Sequence, residues 1–149
     1  MNLVARVKGI LLSPKSEWGV IDSEPATVSS LYSEYIVPLA AIPATAGFIG
    51  MSIFGIGLLG TNVRVPIVTG LTNAVVQYVV GLAGVYALAL IADALAPNFG
   101  GQKNPIQALK VATYASTASW VAGIFLMLPG LRSLGILGVA VMLPVVHAV

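Results

Sequence analysis

The sequence predicts an all-α membrane protein, a polytopic helical bundle of about four transmembrane helices preceded by short amphipathic helices at the membrane surface. Three observations predict it. Hydrophobic residues make up 58% of the chain and charged residues 8%, against roughly 45–50% and 25% in soluble domains. So few charges cannot cover a globule of 149 residues, and lipid must solvate most of the chain. The charges are also bunched, which leaves runs without a charged residue at Tyr35–Val63, Val65–Ala92 and Val111–Leu128. Proline, glycine and asparagine then cluster between those runs, where the chain must turn.

Charge and cysteine content exclude several functions. The net charge is +2, and a pI near 9.1 in so uncharged a chain reflects few titratable groups, not a basic patch. Nucleic acid is therefore not an expected partner. Without cysteine there is no disulfide framework, thiolate nucleophile or sulfur-based zinc site. The opening residues lack the pattern of a cleaved signal peptide, since Arg6 and Lys8 interrupt them, so the first span is expected to act as its own insertion signal.

Residues 1–34 read as cytoplasmic interfacial helices. Leu3, Val4, Val7, Ile10 and Leu11 repeat at helical spacing with Asn2, Arg6 and Lys8 interspersed. Such a helix is too short to span. It either lies along the headgroups with its cations near anionic lipid, or packs on the protein's own bundle. Ser13-Pro14 reads as an N-cap with proline at the first helical position, and Glu17 adds a carboxylate where the helix dipole favours one. Trp18 suits a membrane interface. Ser23-Glu24-Pro25 restarts the chain, and Val28, Leu31, Tyr32, Tyr35 and Ile36 form the stripe of a helix that feeds the first span.

Residues 35–149 read as the transmembrane bundle, with spans at about 35–60, 65–92, 111–128 and 133–149. At about 1.5 Å per residue the first two exceed a hydrocarbon core of roughly 30 Å. Pro38 and Pro43 should kink the first span near its start. A turn at Thr61-Asn62-Val63-Arg64 ends it, and Pro66 opens the second, which ends at Asp93. Pro97 and Gly100-Gly101 then stop the helix. Asn104-Pro105 with Gln107 reads as an N-cap, a proline at the first helical position and a capping-box partner for the third. Pro129-Gly130 breaks that span, and Arg132 marks the turn into the last.

Basic residues alternate along these segments. Arg6, Lys8, Lys15, Lys103 and Lys110 fall on the N-terminal segment and central loop, and Arg64 and Arg132 on the opposite turns. Five against two favours a cytoplasmic N-terminus and central loop.

At that loop the sequence becomes recognisable. Asn98-Phe99-Gly100-Gly101-Gln102-Lys103-Asn104, Gln107-Ala108-Leu109-Lys110 and Tyr114-Ala115-Ser116-Thr117, with Ile10-Leu11-Leu12-Ser13-Pro14, Glu17-Trp18, Glu24-Pro25 and Tyr35 to Ile42 upstream, resemble the bacterial branch of the Yip (Ypt-interacting protein) domain family. The resemblance covers about Lys8 to Gly138. It implies an all-helical bundle of usually five spans in the bacterial cytoplasmic membrane, with a cytoplasmic N-terminus. Eukaryotic members are linked to Rab-type GTPases and trafficking, so a GTPase partner reaches this chain by analogy alone. Beyond Gly138, where family members continue with further spans, the sequence runs Val139 to Val149 with Pro144 and His147 inside and stops. The resemblance thus leads us to expect a truncated or frame-shifted C-terminus.

Candidate site residues are few. Asp93 is the ionisable group closest to the lipid interior, and Lys103 or Lys110 is expected to pair with it at the loop. Thr69, Asn73 and Gln77 recur every four residues as one polar face of the second span, continued by Gly81 and Gly84. Interhelical hydrogen bonding or a solute path would each explain that face. Ala46 and Gly50 in the first span, and Ser116 and Gly123 in the third, are expected to mediate helix packing, with Gly135 and Gly138 doing so in the last segment.

No catalytic set is found. His147 is the sole histidine, and Gly100-Gly101-Gln102-Lys103 lacks the spacing of a phosphate-binding loop, so no metal, cofactor or enzymatic activity is expected. The expected function is a non-enzymatic membrane scaffold that organises membrane proteins, copies of itself or lipids. The alternative is a small transporter or channel subunit working through Thr69, Asn73 and Gln77.

Overall fold

The structure, a computed structural model, describes residues 2–58 and 61–128. The expected fourth span at 133–149, with Arg132, Gly135, Gly138 and His147, lies outside the described residues. The chain is predominantly helical, and two helical runs, Val28–Phe54 and Ile67–Phe99, are long and apolar enough to cross a membrane. It divides into two compact units: Met1–Pro38 with Leu82–Thr117, and Leu39–Gly81 with the chain from Ala118.

In the first unit, α1 (Leu3–Leu12) starts at Asn2, whose side chain accepts from the Ala5 amide, and α2 (Pro14–Ser23) starts at a proline. Ser13 makes no side-chain capping bond; Ser16 Oγ instead donates to the Ser13 carbonyl at 3.0 Å. Thr27 and Ser30 form a reciprocal capping box at the start of α3 (Val28–Leu31). A π-helical turn, Tyr32–Ile36, follows directly and leads into α4 (Val37–Phe48). The unit's core gathers Ile10, Ile21, Leu31, Tyr35, Ile36, Val85, Leu109 and Tyr114.

α6 (Pro105–Ala115) begins where the residues predict, with Asn104 Oδ1 accepting from the Gln107 amide at 3.2 Å. Only half of the capping box forms. The Gln107 side chain reaches Asp22 instead, donating to its carbonyl at 3.2 Å and its carboxylate at 3.0 Å.

Three boundaries differ from the sequence expectation. The first apolar helix ends at Phe54, not near residue 60, because Gly55 takes a positive φ of 86° and a short antiparallel pair, β1 (Ile56–Leu58) and β2 (Thr61–Val63), follows. Asn62 fastens the turn by donating to the Phe54 carbonyl at 3.1 Å. The second helix, α5 (Ile67–Leu95), continues past Asp93 into a 3₁₀ turn, Ala96–Phe99, and closes at Gly100 with φ 78°. The stretch expected as one third span is broken at Ser116 into α6 and α7 (Thr117–Ala122), with a 3₁₀ turn at Gly123–Met127. Ser116 Oγ donates to the Ala112 carbonyl at 2.7 Å, a back-bond that competes with the helix ladder.

In the second unit one close helix approach is at Gly70. A Cβ there would land on Ser52 Oγ and lie 3.3 Å from Phe48 Cδ2, whereas a Cβ on Gly84, in the first unit, would meet nothing within 4 Å. Gly70→Ala is therefore expected to cost about 1–3 kcal/mol through overpacking, while Gly84→Ala should be neutral or slightly stabilising. Thermal unfolding in detergent checks both, and equal melting temperatures would refute the assigned contact.

Candidate functional site

The most elaborate chemistry in the first unit is a charged clasp on Tyr114. Leu3, Arg6, Val7 and Ile10 share one face of α1, so the helix turns Arg6 inward with its apolar stripe. The residue is 7% exposed. Its Nη1 donates to Glu17 Oε1 at 2.7 Å, and its Nη2 pairs with Glu24 Oε2. Gly9 leaves the space in which the Glu17 carboxylate lies, since a Cβ on it would overlap that group. The guanidinium also sits 5.7 Å from the centroid of the Tyr114 ring. Tyr35 and Trp18 meet the same ring edge-on, with centroids at 4.9 and 6.4 Å.

Lys110 completes the clasp. It is 4% exposed, and its ammonium donates to the carbonyls of Ile21 at 2.8 Å, Asp22 at 3.3 Å and Glu24 at 2.6 Å. Those carbonyls belong to the end of α2, where orphan acceptors and the negative pole of the helix favour a cation. All three ammonium donors are thereby used. Beside it, a cavity of about 230 Å³ is lined by Glu24, Ser30, Glu34, Lys110 and Tyr114 among others. Deeper in the unit, Tyr35 and Thr117 share a buried hydroxyl hydrogen bond of 2.8 Å, and Tyr32 donates to the Leu82 carbonyl at 2.8 Å.

The sequence-predicted residues are distributed as follows. Arg6 is turned into the protein and away from lipid; Lys8 and Lys15 are exposed. Asp93 lies within α5 with Oδ1 buried and unpartnered, and it makes no ion pair among the described residues. Lys110 is committed to the α2 carbonyls, and Lys103 is exposed. Thr69, Asn73 and Gln77 are exposed on α5. Ala46 and Gly50 are buried, while a Cβ on Gly81 or Gly84 would meet nothing within 4 Å. Gln77, Gly81 and Gly123 line one cavity of the second unit. Ser116 is tied to its own helix. Glu17, Glu24 and Tyr114 come together through contacts that sequence spacing does not carry; for the two glutamates, the scarcity of charge in the chain is the available signal. Among the described residues no cluster of three or more metal-ligating side chains occurs.

Two helical runs long and apolar enough to cross a membrane accord with an integral membrane protein. The chain belongs to the Yip1 domain family, whose profile matches residues 8–148. Among curated proteins it is similar to inner membrane protein YohC of Escherichia coli strain K12 and to the protein of the same name from Escherichia coli O6:H1 strain CFT073. Each is 30% identical over 127 residues, covering 85% of this chain and 65% of the relative. The chain thus spans about two thirds of the length of those relatives. No solved structure matches it. Family and relatives together make it a bacterial inner-membrane protein.

Proposed function

We propose that this protein is a non-enzymatic, multi-pass scaffold of the inner membrane that organises other membrane proteins through the exposed polar face of α5. The observation that carries the reading is the exposure of Thr69, Asn73 and Gln77 on a helix whose most apolar window is only 11% buried. In hydrocarbon an amide without a partner costs several kcal/mol, and interhelical hydrogen bonds from Asn and Gln are the usual remedy. A partner helix supplies that remedy at Asn73.

The reading takes about four crossings, with the N-terminus and the 96–104 connection in the cytoplasm, supported by the five-to-two distribution of basic residues. The cysteine-free chain suits a direct check. In intact spheroplasts, an impermeant maleimide should label Arg64→Cys and spare Lys8→Cys and Lys103→Cys; the reverse pattern would invert the topology. A photo-crosslinking residue at position 73 should trap a discrete membrane-protein adduct. The second reading, a small transporter or channel subunit, is favoured by the mid-helix cavity that Gln77 lines. Absence of any adduct, together with proteoliposome flux lost on Asn73→Leu and Gln77→Leu, would replace the first reading by the second.

A further inference from the structure

The cavity of about 260 Å³ in the second unit lies between Pro43 of α4, Gln77 and Gly81 of α5, Ser119 and Trp120 of α7, and Gly123. Pro43 is near the midpoint of the 27-residue apolar run and Gly81 near that of the 33-residue run, so the cavity belongs to the middle of both membrane-length helices. Its two glycines behave differently. A Cβ on Gly123 would fall 2.6 Å from Pro43 Cβ and 2.9 Å from Pro43 Cα, so this glycine permits a direct contact. A Cβ on Gly81 would meet nothing within 4 Å. Close packing accounts for Gly123; at Gly81 space is left open.

The lining chemistry is selective. Gln77 offers an amide, Ser119 a hydroxyl and Trp120 an indole N–H, and none of these side chains makes a hydrogen bond in the described structure. Among the described residues, no ionisable side chain lines the cavity. Unmet donors and acceptors at this depth are costly, whereas a charged guest would lose its hydration with no counter-charge to replace it. A purely apolar cavity of this size would stay dry, but a polar one with several convergent partners takes up a hydrogen-bonding guest.

We propose that this cavity is a binding site for a small uncharged molecule bearing amide- or hydroxyl-type donors and acceptors. Gln77 and Ser119 provide the polar contacts, Trp120 forms the aromatic wall, and Gly81 leaves the volume that the guest fills. The site can serve a scaffold as a structural ligand position or a transporter as a substrate position, so it goes beyond either reading of function.

Acrylamide, a neutral amide that quenches indole fluorescence, is the probe. The full-length Trp18→Phe protein, in which Trp120 is the remaining tryptophan, is reconstituted in phosphatidylethanolamine–phosphatidylglycerol vesicles. Acrylamide should quench Trp120 well above iodide, and Gly81→Leu, which fills the cavity, should reduce that quenching about twofold or more. Gly84→Leu, at a position outside the lining, should leave it unchanged. Gln77→Leu is the second variant should Gly81→Leu fail to give monodisperse protein, with the same reduction expected. Equal quenching in the parent and cavity variants would overturn the proposal. So would a Trp120 emission that is red-shifted by water yet insensitive to acrylamide, or one quenched more strongly by lipids brominated on their acyl chains, which would make the occupant water alone or a lipid tail.

Discussion

Arg6→Ala is expected to lower the stability of the detergent-solubilised protein by about 2–3 kcal/mol and to expose the α1–α2 segment to trypsin. Removing one member of a buried ion pair costs roughly 3–5 kcal/mol where the remaining charge cannot be rehydrated. Here the Glu17 and Glu24 side chains retain 21% and 38% exposure, so water recovers part of the loss and the lower figure applies. The cation–π contact with Tyr114 is lost as well. Arg6→Lys should rescue only partly, because an ammonium cannot present two separate forks to Glu17 and Glu24. Melting temperatures and cleavage rates at Lys8 and Lys15 check the result. An unchanged cleavage rate in Arg6→Ala would mean that the clasp does not hold the segment.

Lys110→Met should have a comparable effect, about 3 kcal/mol, with a different dependence on context. Methionine keeps the unbranched apolar stem but leaves the carbonyls of Ile21, Asp22 and Glu24 without their charged donor. Hydrogen bonds to a charged group contribute about 1.5–3 kcal/mol each, and the adjacent cavity lets water replace some of them. Because Arg6 and Lys110 both act on Glu24, one on its carboxylate and one on its carbonyl, the double variant should cost less than the sum of the single ones. Thermal unfolding of the four proteins of that cycle measures the coupling. Strict additivity would show that the two cations hold independent structures.

What could be read from the sequence, and what could not, follows from the range of the interactions. Asn104-Pro105, Pro14 and Gly100 are local signals, and each marks an element boundary in the structure. The long uncharged runs likewise report a property of the segment itself. The Lys110 contacts join residues 86 to 89 positions apart, a distance at which periodicity carries no information. Arg6 was legible in principle: its three- and four-residue spacings from Leu3 and Ile10 place it on the apolar face, opposite Lys8. Thr69, Asn73 and Gln77 share a four-residue period and are each exposed on α5, but a period cannot say what covers the face. Of the glycines that small-residue spacing points to, Gly123 meets Pro43 while Gly81 and Gly84 leave open space, and the contact at Gly70 lies outside that spacing because it depends on Ser52 facing it. The break at Ser116 was hidden because serine inside an apolar helix reads as packing, and its bond to Ala112 belongs to the folded backbone.

Burial of Arg6 and Lys110 also limits how firmly the first unit can adhere to a charged leaflet. Lys8, Lys15 and Lys103 are its exposed cations, and each contributes roughly 1 kcal/mol near an anionic surface. Adhesion by charge therefore amounts to only a few kcal/mol, weak and sensitive to salt, and the exposed Val4, Leu11 and Leu12 of α1 add an apolar contribution beside it.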